Sequence, residues 1–115
     1  CAMPTDLEGL SAEAVRLSAL IDKGVTALRD AAVAYAEAEH DYRERQAMAY
    51  LETEHGTVAE REAQVYAVVG DWRRRRDLAD GQKLAALEAV RSRRAQLSAL
   101  QTIIAAHRAE AELAR

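Results

Sequence analysis

The chain has 115 residues, half of them apolar but only 4% aromatic, with no Phe, 26 Ala, 12 Leu and a net charge of −3. So few bulky and β-branched side chains exclude a strand-rich fold and a deep globular core, and leave long helices that meet through narrow Ala/Leu seams. No apolar stretch approaches the ~18 residues that a membrane-spanning helix needs, so no contact with a membrane is expected.

At the N-terminus, Met3-Pro4-Thr5 reads as a natural start, with Cys1-Ala2 as a cloning remnant and residues 1–4 as disordered. Cys1 as the lipid-bearing first residue of a bacterial lipoprotein is the rival reading, but nothing else points to export, and the cytoplasm is the expected location. As the only cysteine, Cys1 excludes an intramolecular disulfide and a thiolate metal cluster. Thr5-Asp6-Leu7-Glu8 and Ser11-Ala12-Glu13 both offer N-cap chemistry, so a helix opens between residues 5 and 12. From there small and apolar residues recur in steps of four and three: Leu10, Ala14, Leu17, Ile21, Gly24, Leu28, Ala31, Tyr35, Ala38 and Tyr42. This heptad seam predicts one helix over about 7–55, with the pattern running on through Met48 and Leu51.

Gly56 suits a left-handed residue at the end of that helix, and Thr57 with Glu60 forms a capping box that opens the next. Stop and start signals are adjacent, so the chain reverses tightly at 56–57. A second helix over about 58–113 carries Val65, Val68, Val69, Trp72, Leu84, Leu87, Val90, Leu97, Leu100, Ile103 and Ile104. Gly70 and Asp80-Gly81 are its weak points. The predicted fold is all-α: a single domain forming a long, coiled-coil-like antiparallel two-helix hairpin, with a short extra N-terminal helix or, after a break at Asp80-Gly81, a three-helix bundle as the variants.

Charge supports the hairpin. Residues 1–55 carry eleven acids and five bases, and residues 57–115 eight acids and eleven bases. A fold-back at Gly56 sets residue i level with 112 − i, which brings Arg73 to Arg76 within reach of Glu37, Glu39, Asp41 and Glu44, and Arg91, Arg93 and Arg94 beside Asp22. Such pairs add little energy each but select register. A second apolar row, Val25, Ala32 and Ala36 with Val69, Leu100 and Ile103, stays wet in a single hairpin, which predicts a homodimer.

The stretch Tyr50-Leu51-Glu52 to Gly56-Thr57-Val58-Ala59-Glu60-Arg61-Glu62-Ala63, followed by Ser92-Arg93-Arg94-Ala95-Gln96-Leu97-Ser98-Ala99-Leu100-Gln101, resembles small helical proteins of tailed phages and prophages. The resemblance covers about residues 35–113. It implies a phage accessory protein in the host cytoplasm and transfers no catalytic residues. Fourteen Arg among sixteen basic residues, together with the Ala content, fit a GC-rich genome of actinobacterial type. The WXG-type helical hairpins match in length, but their Trp-x-Gly turn is here His55-Gly56-Thr57.

Candidate chemistry is sparse. Glu37-x-x-His40 and Glu52-x-x-His55 have the spacing of di-iron helix motifs, but both fall on one helix about 22 Å apart and cannot share a metal, and His107 lies far from His55. No nucleophile stands beside a His and an acid, and no Gly-rich phosphate loop is present, so neither an enzyme nor a bound cofactor is expected. The segment Trp72-Arg73-Arg74-Arg75-Arg76 is the candidate interaction site: four consecutive arginines point all round a helix, so some face solvent. They suit either a register-fixing role against the first helix or contacts to a nucleic-acid backbone, with Trp72 stacking on a base. The favoured function is a non-enzymatic helical protein that binds an unidentified host or phage protein, and the alternative is a nucleic-acid-binding accessory factor.

Overall fold

The computed structural model describes residues 6–53 and 55–114. The start at Met3, the Thr5 cap, the Cys1-Ala2 remnant and Glu54 lie outside the described residues. Three helices follow one another, α1 (Leu7–Glu52), α2 (Val58–Val68) and α3 (Gly70–Leu113), and the described residues contain no strand. The fold is all-α, a helical hairpin with α1 as one arm and α2 and α3 as the other. No helix is long and apolar enough to cross a membrane.

The heptad seam of α1 is where the sequence puts it. From Leu10 to Tyr42 every seam position is buried or half-buried, and Gly24 is among the buried ones. Beyond Tyr42 the seam departs from the reading through Met48 and Leu51, which are 45% and 76% exposed. It passes instead through Gln46, Ala49 and Thr53, because the steps of four and three continue and the small Ala49 takes the buried position. Size misleads here: Ala49 faces the partner helix, and its larger neighbours do not.

The chain divides into two compact units, residues 1–27 with 86–115 and residues 28–85. In the first, Leu10 and Leu17 of α1 form an apolar cluster with Leu100 and Ile104 of α3, flanked by Ala14 and Leu97. Gly24 lies so close to α3 that a Cβ there would stand 3.1 Å from the Val90 Cγ2, and Arg93 donates to the Leu20 carbonyl at 3.4 Å. In the second, Ala49 meets Val65 and Val69, with Tyr42 and Tyr50 packed against them. Each unit thus has α1 antiparallel to the returning arm.

Val69 and Leu100 are 1% exposed and belong to these cores, so the second apolar row expected of a homodimer does not exist as such. Ala32, Ala36 and Ile103 alone of that row are exposed, and Val25 is half-buried. Val68 and Leu84, placed on the seam by sequence, are 69% and 51% exposed. Arg76, Ala79, Lys83 and Ala86 occupy the half-buried stripe between Val69 and Val90.

The chain reverses between the end of α1 and the start of α2, and α1 ends at Glu52 rather than His55. Arg61 closes that end by donating from Nε to the Thr53 carbonyl at 2.6 Å and from Nη2 to the Tyr50 carbonyl at 3.3 Å, satisfying acceptors the terminated helix leaves free. Gly56 has φ +108°, the left-handed residue expected of it, although it stands in the turn beyond the last helical residue. Thr57 caps α2: its hydroxyl accepts from the Glu60 backbone N–H at 3.2 Å. Of the two weak points, Gly70 is the real one. Val69, at φ −94° and ψ 12°, separates α2 from α3, yet its N–H still reaches the Val65 carbonyl and its carbonyl still accepts from Arg73. Asp80-Gly81 stays within α3, so no break there makes a three-helix bundle.

Two outcomes follow for thermal melts. Gly56→Val lowers the melting temperature, since a β-branched residue is strained at positive φ, and Thr57→Ala costs about 1 kcal/mol of cap stability. Gly81→Ala raises the melting temperature, stabilising the fold by about 0.5–1 kcal/mol, because the position is helical and a Cβ there meets nothing within 4 Å. An unchanged melt for both turn variants would place the critical reversal elsewhere.

Candidate functional site

Trp72, Arg73, Arg74, Arg75 and Arg76 all lie in the first two turns of α3, within the second unit. At 100° per residue they diverge, and the structure gives each a different environment. Trp72 is half-buried at the edge of the seam, with the Arg45 guanidinium of α1 over its ring at 4.6 Å and that of Arg75 at 4.5 Å. Arg73 turns back along its own arm, stacking on Tyr66 at 3.6 Å and donating to the Tyr66 carbonyl at 3.2 Å. Arg74 is exposed and makes neither hydrogen bond nor ion pair among the described residues.

Arg76 alone does what the sequence asks of the whole cluster. Its side chain, 25% exposed, lies over the Tyr42 ring at 4.3 Å, comes within 3.6 Å of the Glu39 carboxylate and donates to Asp77 at 3.0 Å. Burial opposes its charge. The hydrogen bond to Asp77 and the negative charges of Asp77 and Glu39 outweigh that, holding the guanidinium's pKa above its ordinary value. Glu37, Asp41 and Glu44 form no ion pair with Arg73 to Arg76. The cause is register: Arg45 opposes Trp72, and Arg76 opposes Glu39 and Tyr42, a few residues off the simple fold-back at Gly56. Around Asp22 the expected partners are equally absent, with Arg91 turned to Glu88 and Arg93 to the Leu20 carbonyl.

Beside Trp72 the two arms leave a groove of about 130 Å³, lined by Arg45, Met48, Ala49 and Glu52 of α1 and by Val68, Val69 and Trp72. Met48 and Val68 are the exposed apolar side chains here, brought together from the two arms. The sequence reading missed Arg45 and placed Met48 and Val68 in the core. The available signal was their offset from the seam: Met48 precedes Ala49 and Val68 precedes Val69 by one residue, which turns both toward the same flank.

Neither Glu-x-x-His motif is a ligand pair. His40 pairs with Glu44 at 3.5 Å rather than with Glu37, and α1 has ended at Glu52, so His55 is in the turn, off the helical face. Among the described residues no group of three or more His, Cys, Asp and Glu side chains could hold a metal ion. Gly56, Thr57 and Glu60 serve the turn, with the Glu60 carboxylate folded toward Gly56.

The arginines therefore differ in their effect on stability. Arg76→Ala lowers stability by about 1–2 kcal/mol, since its stem and its partners are half-buried, while Arg74→Ala stays within about 0.5 kcal/mol of the parent. Chemical denaturation of both variants checks this. Equal losses would restore the whole cluster as a register device.

Neither a protein-family model, nor a curated protein, nor a solved structure matches the chain.

Proposed function

We propose that the chain is a non-enzymatic helical interaction protein that works through the flank of its second unit. The observation that carries this reading is the groove beside Trp72, where Met48, 45% exposed, and Val68, 69% exposed, face the same opening from opposite arms. Large apolar side chains converging beside an anchored Trp and flanked by guanidiniums have the composition of a docking patch. The adaptable Met48 thioether suits a surface that moulds to another protein. The resemblance to small helical phage proteins supports a phage accessory role in the host cytoplasm, with a phage or host protein as partner.

The nucleic-acid reading has less support. Two guanidiniums already lie over the Trp72 ring where a base would stack, Arg76 is held by Asp77 and Glu39, and Arg73 is folded onto Tyr66. Asp71 and Asp77 stand in the same turns and repel a polyanion.

Affinity capture from an extract of the source cell, with and without nuclease, separates the two readings. A nuclease-resistant partner that is lost with Met48→Asp and with Val68→Asp, while helicity and melting stay at parent values, supports the docking flank. Binding to single-stranded DNA that weakens steeply with salt and disappears in Arg74→Glu/Arg75→Glu would overturn it in favour of the nucleic-acid reading.

A further inference from the structure

The flank of the second unit is self-complementary, and we infer that its occupant is a second copy of this chain, docked about a two-fold axis running along the helices. The inference rests on the reading of that flank as an interaction surface and names what covers it.

Asp41, Arg45 and Met48 follow one another at steps of four and three, so they share one face of α1, and Val68, Asp71 and Arg75 follow at steps of three and four along the returning arm. All six are exposed. The groove that Arg45 and Met48 line together with Val68 shows that the two faces open to the same side. Because the arms are antiparallel, the order acid, base, Met along α1 is matched, residue by residue at the same level, by base, acid, Val read backwards from Arg75. Level is fixed by Arg45 over Trp72 and by Arg76 against Glu39.

A two-fold axis along the helices lays α1 of one copy over the returning arm of the other without shifting the level. Asp41 then meets Arg75, Arg45 meets Asp71 and Met48 meets Val68, and symmetry forms each pair twice. Within one chain these charges have no such use. Among the described residues Asp41, Arg45, Asp71 and Arg75 form no ion pair, and the two arginines lie over the Trp72 ring. A slip by one helical turn sets Asp41 over Asp71 and Arg45 over Arg75, so the same pattern that favours this register penalises the next. Trp72, the only tryptophan, lies between the two charge pairs and is half-buried, which makes it an internal reporter of the contact.

Sedimentation of the full chain across the micromolar range, read together with Trp72 fluorescence, tests the inference. The expected result is a dimer that weakens as salt rises, with Trp72 emission shifting to the blue as it forms. Asp41→Arg/Asp71→Arg and Arg45→Glu/Arg75→Glu each weaken self-association about tenfold or more with helicity retained, and an equimolar mixture of the two recovers it. A parent chain that stays monomeric throughout, a dimer that both variants retain, or a mixture that fails to pair would each overturn the inference. If the parent is monomeric while Met48→Asp and Val68→Asp still lose the captured protein, the flank is an interaction surface for a different occupant. If those variants also change nothing, both readings fall.

Discussion

The dominant constraint is the narrowness of the apolar seam. A chain with no Phe and 26 Ala cannot fill a wide interior, so each long helix buries one stripe and leaves the rest wet. Small residues turn this into an advantage, because close approach substitutes for bulk: Gly24 admits Val90 against its backbone, and Ala49 lets Val65 and Val69 reach the seam. Fully buried side chains are few, with Leu10, Leu100, Val65, Val69 and Val90 the largest. Each contributes roughly 1.5–3 kcal/mol by burial, so contacts at the edge of the seam weigh more here than in a deep core.

Where the seam lacks aliphatic bulk, it is closed by the stems of cations laid on aromatic rings. On α1 nothing between Gly24 and Ala49 is buried, and on the returning arm nothing between Val69 and Val90. The half-buried stretch contains Lys83 over Tyr35 at 4.0 Å and Arg76 over Tyr42 at 4.3 Å. A ring face accepts a cation without requiring it to give up water entirely, and the methylene stem covers apolar surface beneath. The same device repeats at the rim, with Arg45 and Arg75 over Trp72 and Arg73 over Tyr66. The arginines that look like a nucleic-acid patch in the sequence are, in the fold, mostly the counterparts of three aromatic rings, Tyr66, Trp72 and Tyr42.

The sequence was informative in proportion to how local the determining physics is. Helix class, the seam from Leu10 to Tyr42, the positive φ of Gly56 and the Thr57 cap depend on spacing and on one or two neighbours, and all are legible. Met48 and Leu51 look like seam residues by size, but the small Ala49 keeps the phase of the seam and is the one buried. Val68 and Leu100 show the same limit from opposite sides, one assigned to the seam and exposed, the other assigned to a wet row and buried. Asp80-Gly81 looks the weaker point, but one Gly in a long helix costs only about 1 kcal/mol, and the interruption falls instead at Val69, beside Gly70. Arg61, which secures the end of α1 from eleven and eight residues away, has no sequence signature at all.

Register was the hardest quantity to read, and the site depends on it. At 100° per residue the four arginines from Arg73 to Arg76 cannot all face α1, and the level at which the arms meet selects Arg76 as the one that reaches an acid there. The charges left over are not scattered: Asp41 and Arg45 on α1, and Asp71 and Arg75 on the other arm, fall on one flank around an exposed Met48 and Val68. The electrostatic complementarity between the two halves of the sequence is therefore real but divided. One part, Glu39 with Arg76, acts within the seam, where a ring and a second acid hold it. The remainder faces outward with its signs alternating along each arm, where it forms no ion pair within the hairpin, and this alternation is what the inferred two-fold pairing rests on.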